Sequence, residues 1–284
     1  MLGYISSLEI LLITYCFVAE YLVEFQWSSV AVLGEKLFVL NRESSKRIHM
    51  YNADNYGTVG SINLPFRGPA NYVDMAACCL NRCVYLADPL NKCIVRLALS
   101  PKWAWSEWKV DDIASDSVVT VTSSHDVLVM CDMPNKMKVF STNGVLRRRV
   151  DLQPDIVHVT SAMESIPGHY LVTHGKYLDG LHRVCLVNNE GKILRAFGSQ
   201  PTLLYYPMAV AVDADGFVYV IEEETRRLVI LSPTLECISF MQHGLSAGSR
   251  RMKMDKVLKR IFVCTGDRLF GMNVVVLRSG YNRR

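Results

Sequence analysis

Short apolar runs, each ended by a polar residue, recur along the chain at a nearly constant interval. The runs LFVL, VYLA, VLVMC, YLVT, VYVI and IFVC end before Asn41, Asp88, Asp132, His174, Glu222 and Thr265. Successive end points lie 47, 44, 42, 48 and 43 residues apart. A repeat of this length, made of short strands, is typical of a β-propeller rather than a helical solenoid. Six repeats predict six blades.

Turn signals divide each repeat into four strands. Asp215-Gly216 and Asn143-Gly144 separate β-rich runs, and such pairs favour hairpins because glycine tolerates positive φ. The apolar runs are hydrophobic on both sides of the strand, so both faces need a cover, which neighbouring propeller blades provide. The sequence therefore predicts an all-β fold, a six-bladed β-propeller of four-stranded antiparallel blades.

The last repeat contains three strands by count, and an apolar segment precedes the first repeat. We therefore divide the chain into an N-terminal segment, residues 1–27, and a propeller, residues 28–284. We expect the segment to supply the missing outer strand and close the ring. A signal sequence is the alternative, although the segment lacks a basic start and a small-residue cleavage site. Its longest uncharged run, residues 10–19, is too short for a membrane span, so we expect none.

Charge and cysteine content refine this picture only slightly. The net charge is +4, but from Ser249 onward ten Lys and Arg residues face only two Asp residues. A basic end permits an acidic partner. The nine cysteines lie mostly in apolar runs, which suits buried thiols in a reducing compartment. We expect a cytoplasmic location, with secretion as the alternative.

The repeat from Tyr206 to Leu231 resembles an NHL repeat. The matching positions are Pro207, Asp213, Gly216, Tyr219, Val220, Glu222 and Arg226. The resemblance implies a six-bladed propeller that works as a binding module. The RING and coiled-coil regions that precede this domain in tripartite-motif proteins are not in the sequence, so we expect no ubiquitin-ligase activity.

A polar hinge, Asp-x-x-Asn-Lys, occurs twice after apolar runs and should lie on one face of the disc. Its side chains either stabilise turns by bonding to the backbone or form a docking surface for a protein or peptide. The candidate partner-binding residues on this loop face are Asp88, Asn91, Lys92, Asp132, Asn135, Lys136, Lys176, Glu222 and Arg226.

A second candidate surface is basic. It is either a solvated blade edge or an RNA-binding face, as in some NHL propellers, where phosphate contacts drive affinity. Aromatic residues for base stacking are scarce around it. The candidate RNA-binding residues are Arg250, Arg251, Lys253, Lys256, Lys259 and Arg260.

Motifs for catalysis are weak. Ser124, His125 and Asp126 are adjacent, so they favour a turn over a converging triad. The spacing of Cys78, Cys79, Cys83 and Cys93 is not that of zinc ligands. The innermost strands offer Asn71, Asp74 and His158, too few for a hard cation.

We therefore predict no catalytic residue, metal or cofactor and no small-molecule substrate. The predicted function is a non-enzymatic scaffold that docks a protein or peptide on its loop face or in the tunnel mouth. RNA binding is the alternative, and a metal-dependent propeller hydrolase or lactonase is third. One further segment, with Trp103, Trp105 and Trp108, is predicted to be the outer strand of the second blade, packed in the core or exposed as a binding edge.

Overall fold

The chain folds into four-stranded antiparallel sheets. The computed structural model describes residues 10–17, 27–41, 47–65, 72–99, 103–131, 135–175, 181–198, 203–241, 251–255, 259–264 and 269–277. None of these segments is a helix long and apolar enough to cross a membrane.

Strand β1 spans Ile10–Phe17. The next sixteen strands of the chain are, in order, β2 (Trp27–Leu33), β3 (Lys36–Asn41), β4 (Arg47–Asn52), β5 (Thr58–Asn63), β6 (Asp74–Cys78), β7 (Cys83–Asp88), β8 (Cys93–Ala98), β9 (Ala104–Lys109), β10 (Val119–Val121), β11 (Val127–Cys131), β12 (Lys136–Phe140), β13 (Leu146–Asp151), β14 (Val159–Ile166), β15 (His169–His174), β16 (Arg183–Asn188) and β17 (Ile193–Phe197). They are followed by β18 (Pro207–Val212), β19 (Val218–Glu222), β20 (Arg227–Leu231), β21 (Cys237–Met241), β22 (Arg251–Asp255), β23 (Arg260–Cys264) and β24 (Leu269–Leu277).

Five sheets are each formed by four consecutive strands, paired in chain order: β2–β5, β6–β9, β10–β13, β14–β17 and β18–β21. A further sheet has the order β1-β24-β23-β22, so it joins strands from both ends of the chain. In it β1 pairs antiparallel with β24, from Ile10 opposite Leu277 to Phe17 opposite Phe270. The predicted propeller of four-stranded antiparallel blades is confirmed.

The second strand of each sheet is buried on both faces, as the unbroken apolar runs predicted. All residues of β7, β11 and β19 are buried, whereas the fourth strands β13 and β21 are mostly exposed. The polar residues that end the runs occupy the predicted place, since Asn41, Asp88, His174 and Glu222 are the last residues of second strands.

Apolar clusters fill the space between neighbouring sheets. Phe38 and Leu40 pack with Leu86, and Tyr85 packs with Val129. Equivalent clusters follow around the disc. Leu37 and Val39 of the first sheet pack with Phe262 of the sheet that contains both chain ends. The first strands of the sheets stand around the centre, where β2 contacts both β6 and β22.

The two faces of the disc carry different turns. The turns between first and second strands, such as Gly34-Glu35 and residues 213–217, lie on one face, which we call the hairpin face. The turns between second and third strands, such as residues 89–92, lie on the other, the hinge face. This separation follows from antiparallel pairing, since successive turns fall at opposite ends of a meander.

Candidate binding site in the central cavity

A cavity of about 330 Å³ lies among the first strands of the sheets. Small side chains leave this space open, because alanine adds only one methyl group to the wall. They are Ala31, Ala76, Ala77, Ala209 and Ala211. Three polar residues also line the cavity: Thr122, Ser123 and Ser165. They lie in turns of the hairpin face or at the strand end beside such a turn. One end of the cavity, which we call its mouth, therefore lies at the hairpin face.

A buried carboxylate, that of Asp74 on β6, forms the polar end of the cavity. It has no exposed surface. The hydroxyl of Ser29 on β2 donates to its Oδ1 at 2.5 Å, and the backbone N–H of Val119 on β10 donates to Oδ2 at 3.0 Å. Ser29 Oγ also accepts a hydrogen bond from Met75 N at 3.0 Å. One side chain thus joins the first strands of three sheets.

Two cations of β22, Arg251 and Lys253, lie beside this carboxylate. We call Asp74, Arg251 and Lys253 the ion cluster. Lys253 Nζ lies 3.5 Å from Asp74 Oδ2 and donates to the carbonyl of Val119 at 3.2 Å. Arg251 Nε lies 3.7 Å from Asp74 Oδ1, and its Nη2 donates to the carbonyl of Asp116 at 3.1 Å. Since β22 is not adjacent to β6 or β10, these side chains cross the centre of the disc.

The mouth of the cavity carries a second carboxylate. Glu164 Oε2 accepts a hydrogen bond from Ser123 N at 2.6 Å, and Oε1 accepts one from Gly168 N at 3.1 Å. Between the two polar ends the wall is apolar, with Val32, Met163 and Met254. The site combines an acidic mouth, an apolar wall and a floor in which one carboxylate faces two cations.

The hinge residues act as turn stabilisers. Asp88 Oδ1 accepts a hydrogen bond from Asn91 N at 3.2 Å, and Oδ2 accepts one from Asn91 Nδ2 at 2.8 Å. Lys92 is exposed and adopts a positive φ of 50°. In this copy of the Asp-x-x-Asn pattern, the carboxylate therefore holds the turn between the second and third strands.

Glu222 has the same position in its own sheet. Its Oε1 accepts a hydrogen bond from Tyr205 N at 2.5 Å, and Thr225 Oγ1 donates to its Oε2 at 2.5 Å. It forms an ion pair with Arg227, the first residue of β20. The basic residue that the carboxylate pairs with is thus Arg227, whereas Arg226 is exposed with a φ of 53°.

In the hinge that ends with Asn135 and Lys136, these two residues make different contacts. Asn135 Nδ2 donates to the carbonyl of Ile156 at 2.5 Å, and Lys136 Nζ lies 2.7 Å from Asp112 Oδ2. Partial burial would raise the pKa of Asp112, but hydrogen bonds from Lys136 and Lys138 outweigh it and lower that pKa to about 2. Asp132 and Lys176 lie outside the described residues.

The basic set is divided between two places. Arg251 and Lys253 face the cavity in the ion cluster, while Lys259 and Arg260 lie at the turn from β22 to β23. Arg260 Nη1 donates to the carbonyl of Ala53 at 2.6 Å. Arg250 and Lys256 lie outside the described residues. The four described members therefore do not form one surface.

The other sequence motifs also have defined places. Ser124, His125 and Asp126 share one turn, and His125 Nδ1 lies 3.6 Å from the sulfur of Cys78 rather than beside Ser124. No group of three or more potential metal ligands occurs among the residues that the structure describes. Asn71 lies outside them, and His158 is exposed with a φ of 51°.

The tryptophan segment forms β9, the fourth strand of its sheet, as predicted. Trp105 packs towards the first sheet, while Trp108 packs towards the third against Tyr85 and Phe140. Trp103 is 46% exposed. The two inner tryptophans therefore fill opposite faces of one blade.

Sequence reasoning missed the polar layer that forms the cavity floor. In five sheets, the residue just before the end point of the second strand pairs with a residue of the first strand. These first-strand residues are Ser29, Asp74, Ser161, Ala209 and Arg251. An alignment of the repeats on their end points would have placed these residues at one level of the disc. It would not have shown that the Arg251 side chain reaches Asp74.

Comparison with solved structures gives the class of the protein. A streptogramin B lyase matches with a TM-score of 0.65 and 10% identity over 93% of this chain and 98% of that chain. A catalytically inactive virginiamycin B lyase from Staphylococcus aureus with quinupristin matches with a TM-score of 0.63 and 12% identity over 94% and 100%. The WD40 propeller domain of Doa1 matches with 0.60 and 14% over 89% and 80%. The chain is a β-propeller.

These similarities concern the fold alone, because the identities are low and the propellers named include both enzymes and a WD40 domain. No protein family model matches the chain, and no curated protein sequence matches it. The resemblance to NHL repeats thus has no support from a family match.

Proposed function

We propose that the protein is a non-enzymatic binding propeller whose partner is a protein or peptide segment. The observation that carries this proposal is the central cavity, which opens on the hairpin face and has an apolar wall. Such a site accepts an apolar side chain of a partner, because burial of that side chain releases water from both surfaces. Glu164 at the mouth favours a basic group beside the inserted side chain.

The hairpin face supports docking better than the hinge face because the cavity reaches it, although Leu90 in a hinge turn is also 56% exposed. Leu80 and Ile166, in or beside turns of the hairpin face, are 69% and 57% exposed. On the hinge face the recurring polar positions Asp88 and Glu222 are buried and occupied by turn contacts. Docking through the exposed Lys92 and Arg226 is the alternative location for the same function.

We also infer that the β1-β24-β23-β22 sheet acts as a sixth blade that closes the ring. Its strands β22 and β23 contact the first sheet, and its β22 contacts β18 of the fifth. Residues 1–27 would then contribute a closing strand through β1, and the cavity would be enclosed by first strands on all sides.

The partner class is tested with a library of random 12-residue peptides selected on the purified protein. Ser165→Trp places an indole at the mouth of the cavity, and we expect it to weaken the selected peptides at least tenfold, about 1.4 kcal/mol. Ala214→Trp is the matched control, since Ala214 is exposed on the same face but does not line the cavity.

One outcome would relocate the site, and another would contradict the proposal. Retained affinity in Ser165→Trp, together with loss in Lys92→Glu and Arg226→Glu, would move the site to the hinge face. Failure to select any peptide with an apolar anchor would contradict the proposal as a whole.

RNA binding is the less well supported function. Two of its predicted cations, Arg251 and Lys253, are engaged with Asp74 inside the disc. Binding to single-stranded RNA that falls steeply with salt and drops on neutralisation of Lys259 and Arg260 would favour it over the peptide proposal.

A further inference from the structure

A pair of cysteines closes the hairpin between β6 and β7. Cys78 is the last residue of β6 and Cys83 the first of β7, and the two are directly opposite in the antiparallel register. Both are buried, whereas Cys79, in the turn between them, is exposed. Opposed residues on paired strands have Cβ atoms about 4.5–5.5 Å apart, close to the separation that a disulfide requires.

Polar groups converge on the sulfur of Cys78. Asn81 Nδ2 donates to it at 3.2 Å, and His125 Nδ1 from the neighbouring sheet lies 3.6 Å away. Cys83 stands directly opposite Cys78 across the strand pair, where its S–H can donate to the Cys78 sulfur. Hydrogen-bond donors around a sulfur stabilise its thiolate, which is the nucleophilic form of cysteine.

The titration of these thiols agrees with the geometry. The hydrogen bond from Cys83, with those from Asn81 and His125, outweighs burial and lowers the pKa of Cys78 to about 5. The same contact raises the pKa of Cys83, and the thiolate is favoured on Cys78, which Asn81 and His125 also contact. By contrast, burial raises the pKa of Cys131 and Cys185 to about 12.

We propose that Cys78 and Cys83 form a peroxide-reactive dithiol, with Cys78 as the attacking residue and Cys83 as the resolving residue. The Cys78 thiolate attacks one oxygen of hydrogen peroxide, the O–O bond breaks, and Cys78 becomes a sulfenic acid as hydroxide leaves. The Cys83 sulfur then attacks Cys78, the S–OH bond breaks, and a disulfide and water form. A dithiol reductant reverses the reaction.

The turn places this pair beside the cavity. Ala76 and Ala77, which line the cavity wall, directly precede Cys78. Asn81 and His125 belong to turns of the hairpin face. Cys78 itself is 1% exposed, so a small peroxide has to pass Asn81 and His125, which contact the sulfur, to reach it.

The test uses the reduced full chain treated with a small excess of hydrogen peroxide. Trypsin cleaves after Arg82, so a Cys78–Cys83 disulfide joins the peptide that ends at Arg82 to the one that begins at Cys83. We expect this linked pair to dominate and to persist in Cys79→Ser. In Cys83→Ser we expect a sulfenic acid on Cys78 that dimedone traps, and in Cys78→Ser neither product.

The pH dependence separates this chemistry from ordinary oxidation. The rate should be nearly constant between pH 6 and 8, whereas a thiol of ordinary pKa would speed up roughly 70-fold over that range. His125→Asn, which keeps a side chain that tolerates positive φ, should restore part of that dependence. Oxidation that requires Cys79, or a rate that rises as for an ordinary thiol, would overturn the proposal.

Discussion

At the scale of single residues, Asp74 organises the floor of the cavity. Its carboxylate accepts hydrogen bonds from Ser29 and Val119 and faces the cations of Arg251 and Lys253. A buried carboxylate with two cationic neighbours cannot be removed without leaving those cations uncompensated.

We expect Asp74→Asn to lower the free energy of unfolding by about 3 kcal/mol, because breaking a buried charge cluster from one side is costly. Urea denaturation measures the change. Ser29→Ala is the control, which removes two hydrogen bonds but no charge, and it should cost less, about 2 kcal/mol. Adding Lys253→Met to Asp74→Asn should recover part of the loss; strict additivity of the two substitutions would contradict the cluster.

A second residue-scale prediction concerns acid stability. Burial, with the nearby Arg183 charge, lowers the pKa of His174 from 6.5 to about 4. The folded protein holds the imidazole neutral, so the unfolded chain binds the proton more strongly. The contribution of neutral His174 to the free energy of unfolding is complete above pH 6.5. It is lost as the pH falls towards 4, by up to about 3 kcal/mol. Asn41 occupies the equivalent position in the first sheet. His174→Asn should therefore remove this part of the pH dependence of the free energy of unfolding.

At the scale of strands and turns, the blades are fitted to one another through their outer hairpins. The turn between β12 and β13 contains Gly144, whose φ is +82°. A Cβ at this position would lie 2.7 Å from Cδ2 of Trp108, on β9 of the neighbouring sheet. Glycine at this position therefore allows both the positive φ of the turn and the close approach of Trp108.

We expect Gly144→Ala to destabilise the protein by about 2 kcal/mol, since it combines an unfavourable backbone conformation with a clash. Thermal unfolding measures the loss. Combination with Trp108→Ala, which removes Cγ and the indole ring and keeps only Cβ, should relieve most of the clash but leave the backbone strain. A loss in Gly144→Ala that is unchanged in the Trp108→Ala background would show that the backbone alone is responsible.

At the scale of the whole molecule, the strand pairing of β1 with β24 joins the two ends of the chain. We expect deletion of residues 1–17 to lower the melting temperature by roughly 10 °C, because β24 loses its partner along its length. A synthetic peptide of residues 8–19 added in trans should restore part of the stability, and a scrambled peptide should not. An unchanged melting temperature would contradict ring closure.

The pattern of the sequence was sufficient for the blades but not for the cavity. The apolar runs and the Asp-Gly and Asn-Gly pairs predicted strands and turns correctly, because both depend on residues close together in the chain. The hinge at Asp88 was predicted as a turn stabiliser or a docking residue, and its contacts with Asn91 show the first of these.

The basic set shows where such reasoning stops. Arg251 and Lys253 were grouped with Arg260 because they are neighbours in sequence. In a strand, however, residues two positions apart share a face, and Arg251 and Lys253 of β22 both line the central cavity. Their partner, Asp74, lies nearly 180 positions earlier in the chain.

The sequence by itself determined the strand period, the four-stranded repeat and the residues that end each second strand, because these depend on local hydrophobic pattern and turn chemistry. The tertiary structure alone decided which first-strand side chains meet across the centre, and that Cys78 lies beside His125. Those contacts arise between separate sheets, and their distances follow from how the sheets stand around the disc rather than from any spacing along the chain.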